Sequence, residues 1–102
     1  MTDDTPLQEL RALLDLGGWI ALPGIEGKLI FIHPWPDNSV DSLAIWDETE
    51  ALAQRTNPVG QPVWACKDTL TTVLAELRDV PAPDAPDAPR TVLPGDSVDR
   101  HL

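Results

Sequence analysis

Cys66, His33 and His101 are the side chains of this 102-residue chain best suited to nucleophilic or general-base work. Such chemistry needs a nucleophile and its base within hydrogen-bond reach, with a third group orienting the base. Cys66 follows Trp64 and Ala65 on a predicted strand, where a free thiol packs as a small hydrophobe. Its nearest cation in sequence is Lys67, whereas a reactive thiolate sits in a strongly electropositive surround. His33 ends an apolar strand just before Pro34, a place suited to one structural hydrogen bond. His101 falls in a polar C-terminal tail. Paired thiol–imidazole chemistry therefore depends on the fold bringing Cys66 to His33, and no catalytic residue is assigned.

Metal and phosphate chemistry fare no better. One Cys and two dispersed His do not form a zinc site, which takes closely spaced Cys and His ligands. Asp37-Asn38-Ser39-Val40-Asp41 offers oxygen ligands but lacks the glycine and the distal Glu of a calcium-binding hand. Gly17-Gly18 carries none of the rest of a phosphate-binding loop. No metal or cofactor is expected.

The tryptophans hold more. Trp19, Trp35, Trp46 and Trp64, with Phe31, are all the aromatic side chains the chain has. Trp19, Trp46 and Trp64 lie on predicted strands, and the core is expected to take them for their large buried area. Trp35 stands between prolines in His33-Pro34-Trp35-Pro36, held rigidly where the sheet stops. It is either a lid over the core or an anchor for a partner, since rigid tryptophans recur at interface hot spots. Asp37, Asp41, Asp47, Glu48 and Glu50 follow it closely. If strands return beside Trp35, these carboxylates ring it and suit a basic partner; otherwise they form an ordinary solvated loop face.

Composition sets the outer bounds. The chain has 17 acidic residues against 7 Lys and Arg, a net charge of −10, and 13 of the 17 precede Val80. Such a surface repels phosphate backbones and anionic lipid, so neither nucleic acid nor membrane is an expected partner. It steers a basic protein, or serves solubility alone. A single cysteine suits a reducing cytoplasm. Met1-Thr2-Asp3-Asp4 is acidic where a secretion signal begins basic. Abundant Asp, Ala, Leu and Pro, more Arg than Lys and no Tyr fit a GC-rich bacterial genome.

The elements that must position these residues follow from periodicity. Thr5-Pro6-Leu7-Gln8 has the form of a helix start, and Leu7, Leu10 and Leu14 share a face up to Gly17-Gly18. A helix over about 6–16 is expected. Trp19–Leu22 reads as a strand, Pro23-Gly24 as a turn, and Lys28–His33 as a second strand. That second strand is apolar on both faces, which predicts a central strand covered on both sides. Asp41–Trp46 reads as a third strand. Residues 47–55 read as helix or strand, and the turn cluster Asn57-Pro58-Val59-Gly60-Gln61 before Val63-Trp64 favours a strand over 50–56. Asp68 is the expected cap of a helix over about 69–79, whose Leu70, Val73, Leu74 and Leu77 form the clearest helical stripe.

The predicted fold class is α+β: an antiparallel sheet of four to five strands flanked by an N-terminal and a C-terminal helix. Residues 1–79 make the domain and 80–102 a Pro/Ala/Asp-rich linker and tail. The run Val80–Pro89 reads as a semi-stiff spacer. Beyond it Arg90, Val92 and Leu93 form a small apolar island that either docks back or serves as a peptide for another protein. The functional expectation is a small, acidic, non-enzymatic protein-interaction module binding a basic partner, in its sharper form an immunity, antitoxin or inhibitor-type protein. The alternatives are an accessory structural subunit, whose sign would be an uncovered apolar patch, or a ligand binder or enzyme with an unmarked site.

Overall fold

The computed structural model describes residues 5–25 and 27–94. The elements run α1 (Thr5–Asp15), β1 (Ile20–Ile25), β2 (Lys28–Pro34), β3 (Val40–Asp47), β4 (Glu50–Thr56), β5 (Pro62–Asp68) and α2 (Leu70–Asp79). The five strands form one antiparallel meander in the order β1-β2-β3-β4-β5. This is the expected α+β arrangement, and residues 50–56 are strand. Among the described residues, no helix is long and apolar enough to cross a membrane.

Short turns impose the meander. Asp37 accepts the backbone N–H of Ser39 between β2 and β3, and Asn38 takes the left-handed conformation there at φ 76°. Asp47 accepts from both the N–H and the hydroxyl of Thr49 between β3 and β4. Asn57 accepts from the N–H groups of Val59 and Gln61 between β4 and β5. Each is an Asx-type side-chain bond that mimics a backbone turn.

Pro23-Gly24 is not a turn. Both lie inside β1, where the pairing with β2 shifts register between Leu22 and Ile25. Proline is tolerated there because β1 is an edge strand with one side unpaired. The cap of α2 is Thr69, whose hydroxyl accepts the N–H of Thr72; Asp68 binds the Thr69 N–H one residue earlier.

Both helices lie on one face of the sheet. Successive strand side chains point to opposite faces, and the register sorts them. Leu43 and Ile45 of β3 and Ala51 and Ala53 of β4 pack with Leu10 and Leu13 of α1 and with Leu70, Val73, Leu74 and Leu77 of α2. Trp19, Phe31, Trp64 and Cys66 close the margins of this core.

The expectation that β2 is covered on both sides fails here. β2 is paired on both edges, but among the described residues no helix or strand crosses its second face, and its residues are at most half-buried. An apolar strand shows that both faces avoid water, without saying what hides the second.

Residues 80–94 are docked rather than extended. Consecutive turns close with Ala85 N–H to Ala82 O and Ala88 N–H to Ala85 O, one per Ala-Pro-Asp echo. Ala88 is buried, and the Leu93 N–H binds the Pro62 carbonyl at the edge of β5.

Candidate functional site

Asp41, read from sequence as a partner-binding carboxylate, is buried. It is 3% exposed and Arg55 is 1% exposed. The two face each other across β3 and β4. Arg55 Nε donates to Asp41 Oδ1 at 2.6 Å and Nη2 to Oδ2 at 3.0 Å, the two-pronged geometry that makes such pairs strong. Arg55 Nη1 donates to the Pro81 carbonyl at 2.5 Å. One guanidinium thus satisfies a buried carboxylate and ties down the chain where it leaves α2.

An aromatic tier shields this pair. His33 sits opposite Asp41 on β2. Its ring stacks on Trp35 at 4.4 Å between centroids and meets Trp19 edge-on at 5.2 Å. The Arg55 guanidinium lies 5.6 Å from the Trp35 ring centre, within range of a cation–π contact. Gly18 admits the His33 ring, since a Cβ there would stand 2.7 Å from His33 Cε1. Trp35 is therefore a lid over an ion pair, and its indole Nε1 is buried without a hydrogen-bond partner in the structure.

The acidic group does not ring Trp35. Asp37 belongs to the turn beside Trp35, but Asp47, Glu48 and Glu50 belong to the next turn, at the other end of β3. A strand of that length separates them by about 20 Å at about 3.3 Å per residue. Asp47 is held below the usual carboxylate range, chiefly by the Thr49 hydroxyl and then by its N–H. The exposed Glu48 uses its backbone carbonyl to receive the Leu70 N–H at the start of α2. Glu50 pairs loosely with Lys67 at 3.6 Å. What does join Trp35 is the tail: Trp35, Pro36 and Asp37 with Pro83 and Asp84 line a pocket of about 210 Å³.

The tail residues are occupied with the domain itself. Arg90 donates to the carbonyls of Ala85, Pro86 and Ala88, Leu93 engages Pro62, and Val92 is exposed.

Nor does the fold assemble a thiol–imidazole pair. His33 on β2 and Cys66 on β5 share a face but stand three strands apart, about 14 Å at about 4.8 Å per strand. Burial, then Glu76 and Asp68, push the Cys66 thiol up, towards its unreactive form. Among the described residues, no three His, Cys, Asp or Glu side chains converge as metal ligands.

The most extended chemical feature is the sheet face turned away from the helices. Leu22, Ile30, Ala44, Leu52 and Lys67 form one cross-strand row, and Ile20, Ile32, Ser42, Gln54 and Ala65 the next. Trp46, expected in the core, lies on this outer face, with Lys28 Nζ 5.0 Å from its ring centre. Ile20 and Leu22 are 48% and 38% exposed, and Ile30, Ile32, Ala44 and Trp46 are half-buried. None of these belongs to the packed core. Sequence reading missed this surface because β2 and β3 carry apolar residues on both faces. The alternation of Ile30, Ile32, Ala44 and Trp46 with core positions was its only signal.

The chain matches no protein-family model, no curated protein and no solved structure.

Proposed function

We propose that this chain is a non-enzymatic protein-interaction module whose contact surface is the uncovered face of its sheet. The observation behind this reading is the contiguous apolar area of Ile20, Leu22, Ile30, Ile32, Ala44 and Trp46 on an otherwise strongly acidic chain. Large contiguous apolar patches mark interaction sites more often than they mark idle surface. The reading is that of an accessory or structural subunit, completed by what it docks against.

The test compares the tagged 102-residue chain with its Leu22→Lys and Ile32→Lys variants in affinity purification from native extract, with circular dichroism confirming the fold. Proteins captured by the parent are lost with both variants. Capture that is indifferent to both substitutions overturns the assignment of this face.

A second reading, a basic partner on the acidic surface, is favoured by the pocket of Trp35, Asp37 and Asp84. An aromatic wall and two carboxylates suit a Lys or Arg side chain. In this form the module acts as an immunity, antitoxin or inhibitor-type protein. Asp84→Lys weakens such a complex and leaves the sheet face intact; binding unchanged by that substitution removes this reading.

A further inference from the structure

We infer that the occupant of the uncovered sheet face is a second copy of this chain, packed face to face about a two-fold axis running along β3. This rests on the sheet-face reading above and names its partner.

Size is the first argument. Five strands about 4.8 Å apart and about 23 Å long present roughly 550 Å² in projection. With side-chain relief, that approaches the about 800 Å² of accessible surface per partner in a standard interface.

Charge is the second. The chain has only two lysines, Lys28 and Lys67, and both lie on this face. Among the described residues the face also carries Glu50, which pairs with Lys67 and has Asp47 as its cross-strand neighbour. A basic partner meets two ammonium groups there, which disfavours it. An axis along β3 sets β2 of one copy over β4 of the other. Lys28 then lies over Glu50 of the second copy, twice by symmetry.

Shape is the third. Ala44 and Trp46 lie on β3 and meet their own images. The small Ala44 allows the sheets to approach to the about 10 Å of aligned sheet packing, and Trp46 supplies an aromatic pair.

Edge-to-edge pairing is disfavoured at both ends of the sheet. Pro23 and the register shift interrupt β1, and Leu93 takes up the Pro62 carbonyl at the start of β5. Such devices weaken strand addition, which favours the face.

Sedimentation equilibrium of the 102-residue chain over a dilution series tests this, with circular dichroism as the folding control. The expected species is a dimer at twice 11.1 kDa. Ala44→Arg converts it to a folded monomer. Lys28→Glu weakens the dimer about tenfold, or about 1.4 kcal/mol, and adding Glu50→Lys restores it. A parent chain that stays monomeric throughout overturns the second-copy assignment, as does a dimer unaffected by Ala44→Arg. If the chain is monomeric and the Leu22→Lys and Ile32→Lys variants still lose a captured protein, the sheet face stands with a different occupant. If capture is also unaffected, the sheet-face reading falls with it.

Discussion

Arg55 joins β3, β4 and the segment that follows α2 through its side-chain hydrogen bonds. It is nearly inaccessible, holds Asp41 by two bonds and holds the Pro81 carbonyl by a third. Removing one partner of a buried pair leaves an uncompensated charge, which costs about 3–5 kcal/mol. Arg55→Ala is expected to lose that much stability in urea unfolding. Asp41→Leu with Arg55→Met loses less than Arg55→Ala alone, because no charge is left stranded; a double variant as weak as the single would contradict this. Gly18→Ala is a second residue-scale test. Gly18 holds φ +86°, and a Cβ would overlap His33, so a loss of about 1–3 kcal/mol is expected, with altered near-ultraviolet circular dichroism from Trp19 and Trp35.

Cys66 gives a pH dependence of known sign. Its folded pKa is raised, first by burial and then by Glu76 and Asp68. The neutral thiol is thus the form the fold prefers. Its contribution is intact below the unfolded thiol pKa and is lost as pH rises through the folded one. Thiolate absorbance should rise at higher pH in the native chain than in urea, and Cys66→Ala should flatten the alkaline loss of stability. Coincident titrations in the two states would show a solvated thiol.

At the scale of elements, the tail is the least expected component. Ending the chain at Asp79 removes the Pro81 carbonyl from Arg55 and Leu93 from the edge of β5. Leaving a buried donor unmade costs about 1–3 kcal/mol, visible as a lower Tm of the truncated chain. An unchanged Tm would mean residues 80–94 contribute no net stability where they dock.

What was legible in the sequence follows from range. Helix α2 was plain because Leu70, Val73, Leu74 and Leu77 repeat with the helical period, while residues 47–55 read as helix or strand and only the Asn57–Gln61 turn favoured β4. The Asp41–Arg55 pair was not, because the partners are 14 residues apart and nothing local marks either. Asp41 and Asp47 look alike in sequence, yet Asp41 is buried against Arg55 across the β3–β4 pair and Asp47 is exposed at the far turn. The contact face was hidden for a related reason. Which face of an apolar strand is covered depends on where both helices land, and that is a property of the whole chain.

For the molecule as a whole, the two proposed contacts respond to salt in opposite directions. Two copies at a net charge of −10 each repel at long range, and salt screens that repulsion. The dimer is expected to tighten as ionic strength rises, while a complex with a basic protein at Trp35, Asp37 and Asp84 loosens. A self-association that weakens with salt would mean that the Lys28–Glu50 contacts outweigh the net repulsion. Because folding and association are linked, Tm should also rise with protein concentration.

The placement of Lys28 and Lys67 has a practical consequence. Apart from any α-amino group, every primary amine of the chain stands on the outer face of the sheet. Covalent attachment to a sensor chip or bead through amines would fasten the molecule by that face and hide it from solution. An assay so built would report no self-association whatever its strength, while leaving the Trp35 side free. Acetylation of the same two amines, read by mass spectrometry with and without dilution, would map the face directly, with protection at high concentration marking the dimer.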